Sequence, residues 1–370
     1  MMSPVFGREA LRIGILASPW LPVPPGAYGG TESVVDRLSR GLAAGGQEVR
    51  LWTTGESTCP VPRGFTFPTA RTEAMGMSSI ELRHTLEGYE WFADEGCDVI
   101  HDHTLVGPFL GTATAPVITT NHGPFDNPEL AVLFSRLPRT VPVIAISRNQ
   151  ASVAARLGIP VAHVIHHGID VTEVPEGDGR GDEHGEYLLF LGRMNPAKGV
   201  LEAIETARAV GHRLLIAARM REAAELAFYE DVIAPQCTDG IDYIGEVGGA
   251  DKERLIGGAL ALLSPIQWPE PFGLVMIEAL AAGTPVISTP RGAAPEIVLH
   301  GRTGYLCEDA DALVRAVRSV GQIDRSNCRS DVDRRFGVDK MVARHVAAYR
   351  ELLTASGSRP EAPTPLMSAV

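Results

Sequence analysis

Positive charge is scarce in this 370-residue chain. Its 33 Lys and Arg residues stand against 45 Asp and Glu, a formal net charge of −12. Proteins that track a phosphate backbone need a basic footprint, so this balance argues against broad nucleic-acid binding. It lends no support to electrostatic docking on anionic lipid, and leaves peripheral membrane contact through a local basic patch open. Cysteine is scarce as well. Cys59, Cys97, Cys237, Cys307 and Cys328 are odd in number, scattered, and form no C-x-x-C. That excludes a disulfide framework and a zinc site, and leads us to expect a reducing, cytoplasmic compartment. Long apolar runs are missing too. The run at 11–16 is cut short by Pro19, too early for a signal peptide or a membrane span, and no later window reaches bilayer length.

What the chain does have is alternation. With 45% hydrophobic residues, it can fill the cores of two domains of ordinary size. Short apolar runs at 12–17, 49–53, 99–101, 117–121, 143–146 and 163–165 read as strands, followed after a break by 187–191, 213–217, 241–244, 261–264 and 286–288. Amphipathic stretches at 31–44, 79–95, 198–210 and 251–259 lie between them. This order predicts an α/β protein with two Rossmann-like, doubly wound parallel sheets joined by right-handed crossovers. The break is the acidic, Gly-rich segment 171–185. It divides an N-terminal domain at 1–170 from a C-terminal domain at 186–335, before a last helix within 336–355 and a Pro- and Ser-rich tail, 356–370, expected to be disordered. Ligands of such sheets sit outside the carboxyl ends of the strands, which here face one cleft.

The densest motif is WPEPFGLVMIEALAAGTPVIS at 268–288. Pro271 and Gly273 place Glu270 in a loop; Leu274 opens a helix that carries Glu278 one to two turns inside and stops at Gly283. The backbone N–H groups at that helix start suit a phosphate or a sugar oxygen. A capped core helix with two exposed acids fits the residues equally well. Farther upstream, Gly192-Arg193-Met194-Asn195-Pro196-Ala197-Lys198-Gly199 follows a strand, with Asn195 as N-cap and Pro196 at N1. Lys198, one of only three lysines, then occupies a helix start where a cation is unfavourable unless an anion is close. Gly29 and Gly30 open another helix and permit close backbone approach. They lack the order of a dinucleotide fingerprint. Seven of the 11 histidines fall in the first 170 residues. His101 and His103 share a strand face without an evident further metal ligand, and His122 ends another strand. Two D-x-D triplets, 309–311 and 331–333, follow no strand, and Asp309 reads as a helix cap. No metal is expected.

Glu270 and Glu278 with the turn, helix and Gly-Thr-Pro-Val-Ile exit between and after them resemble the E-x7-E signature of the retaining nucleotide-sugar glycosyltransferases of family 4, which have the GT-B fold. Arg193 and Lys198 resemble that family's R-x4-K pattern. The resemblance runs through nearly the whole chain and is looser in the N-terminal part. It implies that Arg193 and Lys198 hold the donor diphosphate, that Glu270 holds sugar hydroxyls, and that His122 borders the transferred sugar. Phe272, Gly273, Leu274 and Val275 would meet sugar and phosphate, Glu278 the ribose, and Gly29 and Gly30 the donor phosphate and the acceptor. Ser147 matches a family position at a strand end, and Glu246 with Val247 the loop that reads the base through its backbone. His167 stands where the family has Asn, which leaves that position's role open. The last helix would return to the first domain. The expected activity is retaining, metal-independent transfer of a hexose from a nucleoside diphosphate sugar, UDP-sugar first, to an acceptor hydroxyl, with no cofactor. The alternatives are a nucleotide-sugar epimerase of the same architecture and a nucleotide-sugar-binding protein without turnover.

Overall fold

The computed structural model describes residues 10–357. Residues 358–370 of the tail expected to be disordered lie outside the described residues. Seven strands form the first sheet: β1 (Arg12–Leu16), β2 (Glu48–Thr53), β3 (Arg63–Phe65), β4 (Val99–Asp102), β5 (Val117–Asn121), β6 (Val143–Ala145) and β7 (His163–Val164). Their order is β3-β2-β1-β4-β5-β6-β7 and every pairing is parallel. Six more form the second: β8 (Tyr187–Arg193), β9 (Arg213–Arg219), β10 (Ile241–Gly245), β11 (Ala261–Ser264), β12 (Val286–Ser288) and β13 (Gly304–Leu306). Its order, β10-β9-β8-β11-β12-β13, is parallel throughout. The central strands are apolar without alternation because helices cover both faces. Ile13, Ile15, Leu51, Ile100 and Ile118 are buried in one sheet, and Leu188, Leu189, Leu214, Leu262 and Ile287 in the other.

Two short strands escape sequence reading. β3 has three residues, Arg-Gly-Phe, of which two are exposed, so it carries no apolar signal. β13 begins at Gly304, where a Cβ would stand 1.9 Å from the Val286 carbonyl oxygen; close backbone approach, not side-chain pattern, makes that strand.

The Val338–Ala355 helix packs on the Gly30–Ala44 helix of the first domain, burying Val342, Val346, Tyr349 and Leu353 against Leu38 and Leu42. Gly41 permits the contact, since a Cβ there would lie 2.6 Å from Val342. The chain therefore passes between the domains twice, and the passages are tied together: Ile169 N–H donates to the Phe336 carbonyl and Val338 N–H to the Ile169 carbonyl.

The segment expected to be a linker is laid along the second domain. Gly177 N–H donates to Ala282, Gly179 to Gly257 and Gly181 to Gly258, while Arg325 donates to the Gly177 carbonyl. Its glycines serve close approach, with a Cβ on Gly177 falling 2.1 Å from the Gly257 backbone. Gly177→Ala should therefore cost about 1–3 kcal/mol of stability through overpacking, read as a lower urea midpoint. An unchanged midpoint would mean that the segment is not packed there in solution.

Candidate active site in the interdomain cleft

A cleft of about 660 Å³ lies between the sheets, lined from both sides by loops that follow strand ends. On the second-domain wall, the turn after β11 is fixed from behind. Glu270 N–H donates to the Trp268 carbonyl, and the Glu270 carbonyl accepts from Ala293 N–H. Gly292 lets this happen, because a Cβ there would lie 2.3 Å from the Glu270 backbone. The carboxylate of Glu270 meets Lys198 Nζ at 2.6 Å, and the same ammonium lies 5.6 Å from the centre of the Trp268 ring. Lys198 is delivered by a short 3-10 turn, Pro196–Lys198, whose Ala197 N–H is capped by the Asn195 side chain.

Two helices open their N-termini into the cleft with glycine at the cap and no side-chain cap bond: Gly30–Ala44 after Gly29, and Leu274–Ala281 after Gly273. Gly273 has φ of +106°, a conformation that favours glycine. Uncapped N–H groups at both mouths, each at the positive end of a helix dipole, make the cleft receptive to anions and sugar oxygens.

Arg193 ends β8 and lines the cleft, held by Glu222 and by Glu225 at 2.6 Å. Burial tends to raise the Glu225 carboxyl, but backbone N–H donors and Arg193 overcome it and hold the group below the usual carboxylate range. Beside Arg193 in register stands Arg219, the end of β9, which the sequence reading missed. It is 8% exposed and lies 4.4 Å over the Tyr28 ring.

Glu278 lies inside its helix between two cations, Lys252 Nζ at 2.9 Å and Arg37 Nη2 at 3.1 Å. Burial alone would raise its carboxyl; Lys252 and Arg37 together hold it low and ionised. Arg37 comes from the first domain, so this pair also spans the cleft. Glu246 does not line the cleft. It stands at the rim, accepting from Tyr28 N–H at 3.1 Å and from Arg221 at 3.3 Å, whereas Val247 and the Phe272–Val275 segment do line it. Ser147, expected to contact the donor, is not among the lining residues: its hydroxyl is buried and caps the Arg148–Arg156 helix at Gln150 N–H. Asp309 caps a helix at Ala312 N–H, and Asp331 is paired with Arg334 and Arg335.

The first-domain wall is a stack of imidazoles. His122 and His103 are bonded ring to ring at 2.8 Å, His101 lies 4.0 Å from His103 between centroids, and His345 lies 5.2 Å from His101. His167 fills the gap between His122 and Phe272, with centroids at 5.2 and 4.9 Å. The position that departs from the family's Asn is therefore part of the cleft. His101 is satisfied by Tyr349 and Thr120, each at 2.8 Å, so it belongs to the core beneath.

Burial holds these rings neutral. It lowers His122 and His345 to about 4, and His101, His103 and His167 well below their ordinary value. A histidine depressed in the fold contributes stability above the unfolded value near 6.5, and loses it as pH falls from there towards 4. Asp102, which burial pushes up to about 7, acts in the opposite sense, as do the raised Glu32 and Glu81. A histidine variant compared with the parent isolates the effect. Between pH 7 and 5, His345→Gln should lose about 1–2 kcal/mol less unfolding free energy than the parent chain. Equal losses would mean that His345 is not held neutral.

The comparisons with known proteins agree with this geometry. A model described as Glycosyltransferase Family 4 matches residues 28–173, and one described as Glycosyl transferases group 1 matches residues 185–322. A glycogen synthase of Mycobacterium tuberculosis is 28% identical over 80% of this chain and 83% of its own. A phosphatidyl-myo-inositol mannosyltransferase of Mycobacterium leprae is 25% identical over 94% and 99%. Among solved structures, AviGT4, a glycosyltransferase involved in avilamycin A biosynthesis, superposes with a TM-score of 0.70 at 28% identity, covering 93% of this chain and 98% of its own. Anabaena HepE in complex with UDP-glucose gives 0.72 at 17% identity, covering 93% and 100%, a likeness of fold. With both halves matched over well more than half its length, the chain belongs to glycosyltransferase family 4 and has the GT-B fold.

Proposed function

We propose that this enzyme transfers a hexose from a nucleoside diphosphate sugar to an acceptor hydroxyl, with retention at the anomeric carbon and without a metal. The observation that carries the reading is the Lys198–Glu270 pair at the mouth of the Leu274–Ala281 helix. A cation, a carboxylate and free N–H groups within one turn match the chemistry of a glycosyl phosphate. Its phosphate oxygens accept from Lys198 and the helix amides, and its sugar hydroxyls donate to Glu270. Negative charge grows on the diphosphate as the glycosidic bond breaks, so Lys198 and Arg193 act most strongly in the transition state. His122, held neutral, offers the sugar a polar edge without a competing charge. Glu278, ionised and inside the helix, accepts from ribose hydroxyls. The acceptor enters along the first-domain wall, lined by Trp20, Met75, Leu105 and the buried Glu81, whose carboxylate accepts from Leu105 N–H. UDP-sugars are the first donors to test, since UDP-glucose occupies Anabaena HepE.

Mass-spectrometric screening of UDP-, GDP- and ADP-sugars in excess EDTA tests the reading, with the product's anomeric configuration read by NMR. Transfer, or slow donor hydrolysis, should persist in EDTA. Activity restored only by Mn²⁺ or Mg²⁺ contradicts metal independence, and interconversion of free donor sugars would identify an epimerase. Glu270 and Glu278 should fail differently. Glu270→Gln should reduce kcat/KM about tenfold or more and alter preference between donors epimeric at C3 or C4, a charge-assisted contact being worth roughly 1.5–3 kcal/mol. Glu278→Gln should weaken free nucleoside diphosphate and donor alike, with sugar preference intact. Calorimetry with kcat/KM on two epimeric donors reads both, and the reverse pattern means the two roles are exchanged.

A further inference from the structure

The cations of the cleft are already matched to carboxylates, with one exception. Lys198 has Glu270, Arg193 has Glu222 and Glu225, and Lys252 and Arg37 share Glu278. Arg219 has none. Among the described residues, its guanidinium forms no ion pair and no hydrogen bond. Its Nε is buried without a partner, and the Tyr28 ring lies over the guanidinium. The nearby acids are otherwise engaged: Glu225 by Arg193, and Glu32, which burial holds above the ordinary carboxyl range, by Ser18. Burial first, then the charges of Arg193 and Arg221, work against the Arg219 cation and outweigh the help of Tyr28 and Glu225. A buried guanidinium without an ion pair or hydrogen bond is costly, and a fold that needed only an apolar filler there would carry leucine or methionine. Its place at the lining of the cleft points to an anion from outside the chain.

The strand order says which anion. Along the carboxyl edge of the second sheet come the loop after β10 with Val247, then Arg219 at the end of β9, Arg193 at the end of β8, and Glu270 after β11. A donor laid along this edge, base at the β10 loop and sugar at Glu270, crosses Arg219 immediately before Arg193.

We propose that Arg219 is a donor-contacting residue, whose guanidinium receives a diphosphate oxygen while Tyr28 holds its plane. The proposal rests on the donor reading above. The test is calorimetric binding of UDP, GDP and ADP, each beside its nucleoside, to the parent chain, Arg219→Gln and Arg219→Lys, together with the melting temperature of each ligand-free protein. Arg219→Gln should weaken the bound diphosphate tenfold or more and leave its nucleoside within twofold. Arg219→Lys should recover part of the loss. Because the guanidinium is unpaired without ligand, Arg219→Gln should melt no lower than the parent. Diphosphate binding within twofold of the parent overturns the proposal and leaves the donor reading standing. Equal loss of nucleoside and diphosphate also overturns it, assigning Arg219 to the base. A parent chain that binds none of the three diphosphates overturns the donor reading and this proposal together.

Discussion

In a wholly parallel sheet every strand delivers its last residue to the same edge. Both sheets here obey that constraint, and the interdomain cleft follows from it. Arg193 and Arg219 are neighbours because β8 and β9 run in register to a common end. His122 follows β5, and His103 follows β4. The turn with Glu270 follows β11, and the Leu274–Ala281 helix begins where that turn finishes. None of these side chains needs a long excursion of the backbone to reach the others. The two passages of chain at Ile169 and Gly337, with the last helix anchored on the first domain, keep the two edges facing.

Within that frame the cleft is held together by charges that answer one another across it. Arg37 reaches from the first domain to Glu278, and Tyr28 N–H to Glu246. His166 and the N–H groups of Arg148 and Asn149 converge on Glu296. The partners of buried Glu278 and half-buried Glu296 hold both carboxyls low, so the domains meet through polar groups that a ligand can compete for. Each domain also has its own apolar core, Leu188, Phe190 and Ile216 within the second and Ile13, Ile15 and Leu51 within the first, while Ile146 and Leu274 carry apolar contact across the seam. A seam that carries charged contacts beside apolar ones suits a site that must admit and release a charged substrate.

Much of this was legible in the sequence, and the exceptions are instructive. Buried parallel strands announce themselves as short apolar runs, and those at 117–121, 261–264 and 286–288 coincide with the observed strands. Glycine before the two open helices and Asn195 before Lys198 are local signals with local consequences. In the 171–185 segment, the glycines that mark a linker in sequence also permit tight packing in three dimensions. Ser147 occupies a strand end like the site residues, yet its hydroxyl turns to its own helix. Arg219 left no sequence signal at all. It is one arginine among many, and its burial and lack of a counter-ion appear only when the strands are laid side by side. His167 was visible as a departure from the family; that it stacks between His122 and Phe272 was not.

The central claim is that the Lys198–Glu270 pair keeps the place of the donor, the ammonium standing ready for phosphate and the carboxylate for sugar hydroxyls. A crystal structure with an intact nucleoside diphosphate sugar tests it most directly. The account predicts that the 2.6 Å contact opens, with Lys198 Nζ within hydrogen-bond distance of a phosphate oxygen and Glu270 accepting from the sugar. A bound donor beside an unbroken Lys198–Glu270 pair, with its diphosphate held elsewhere, would contradict it.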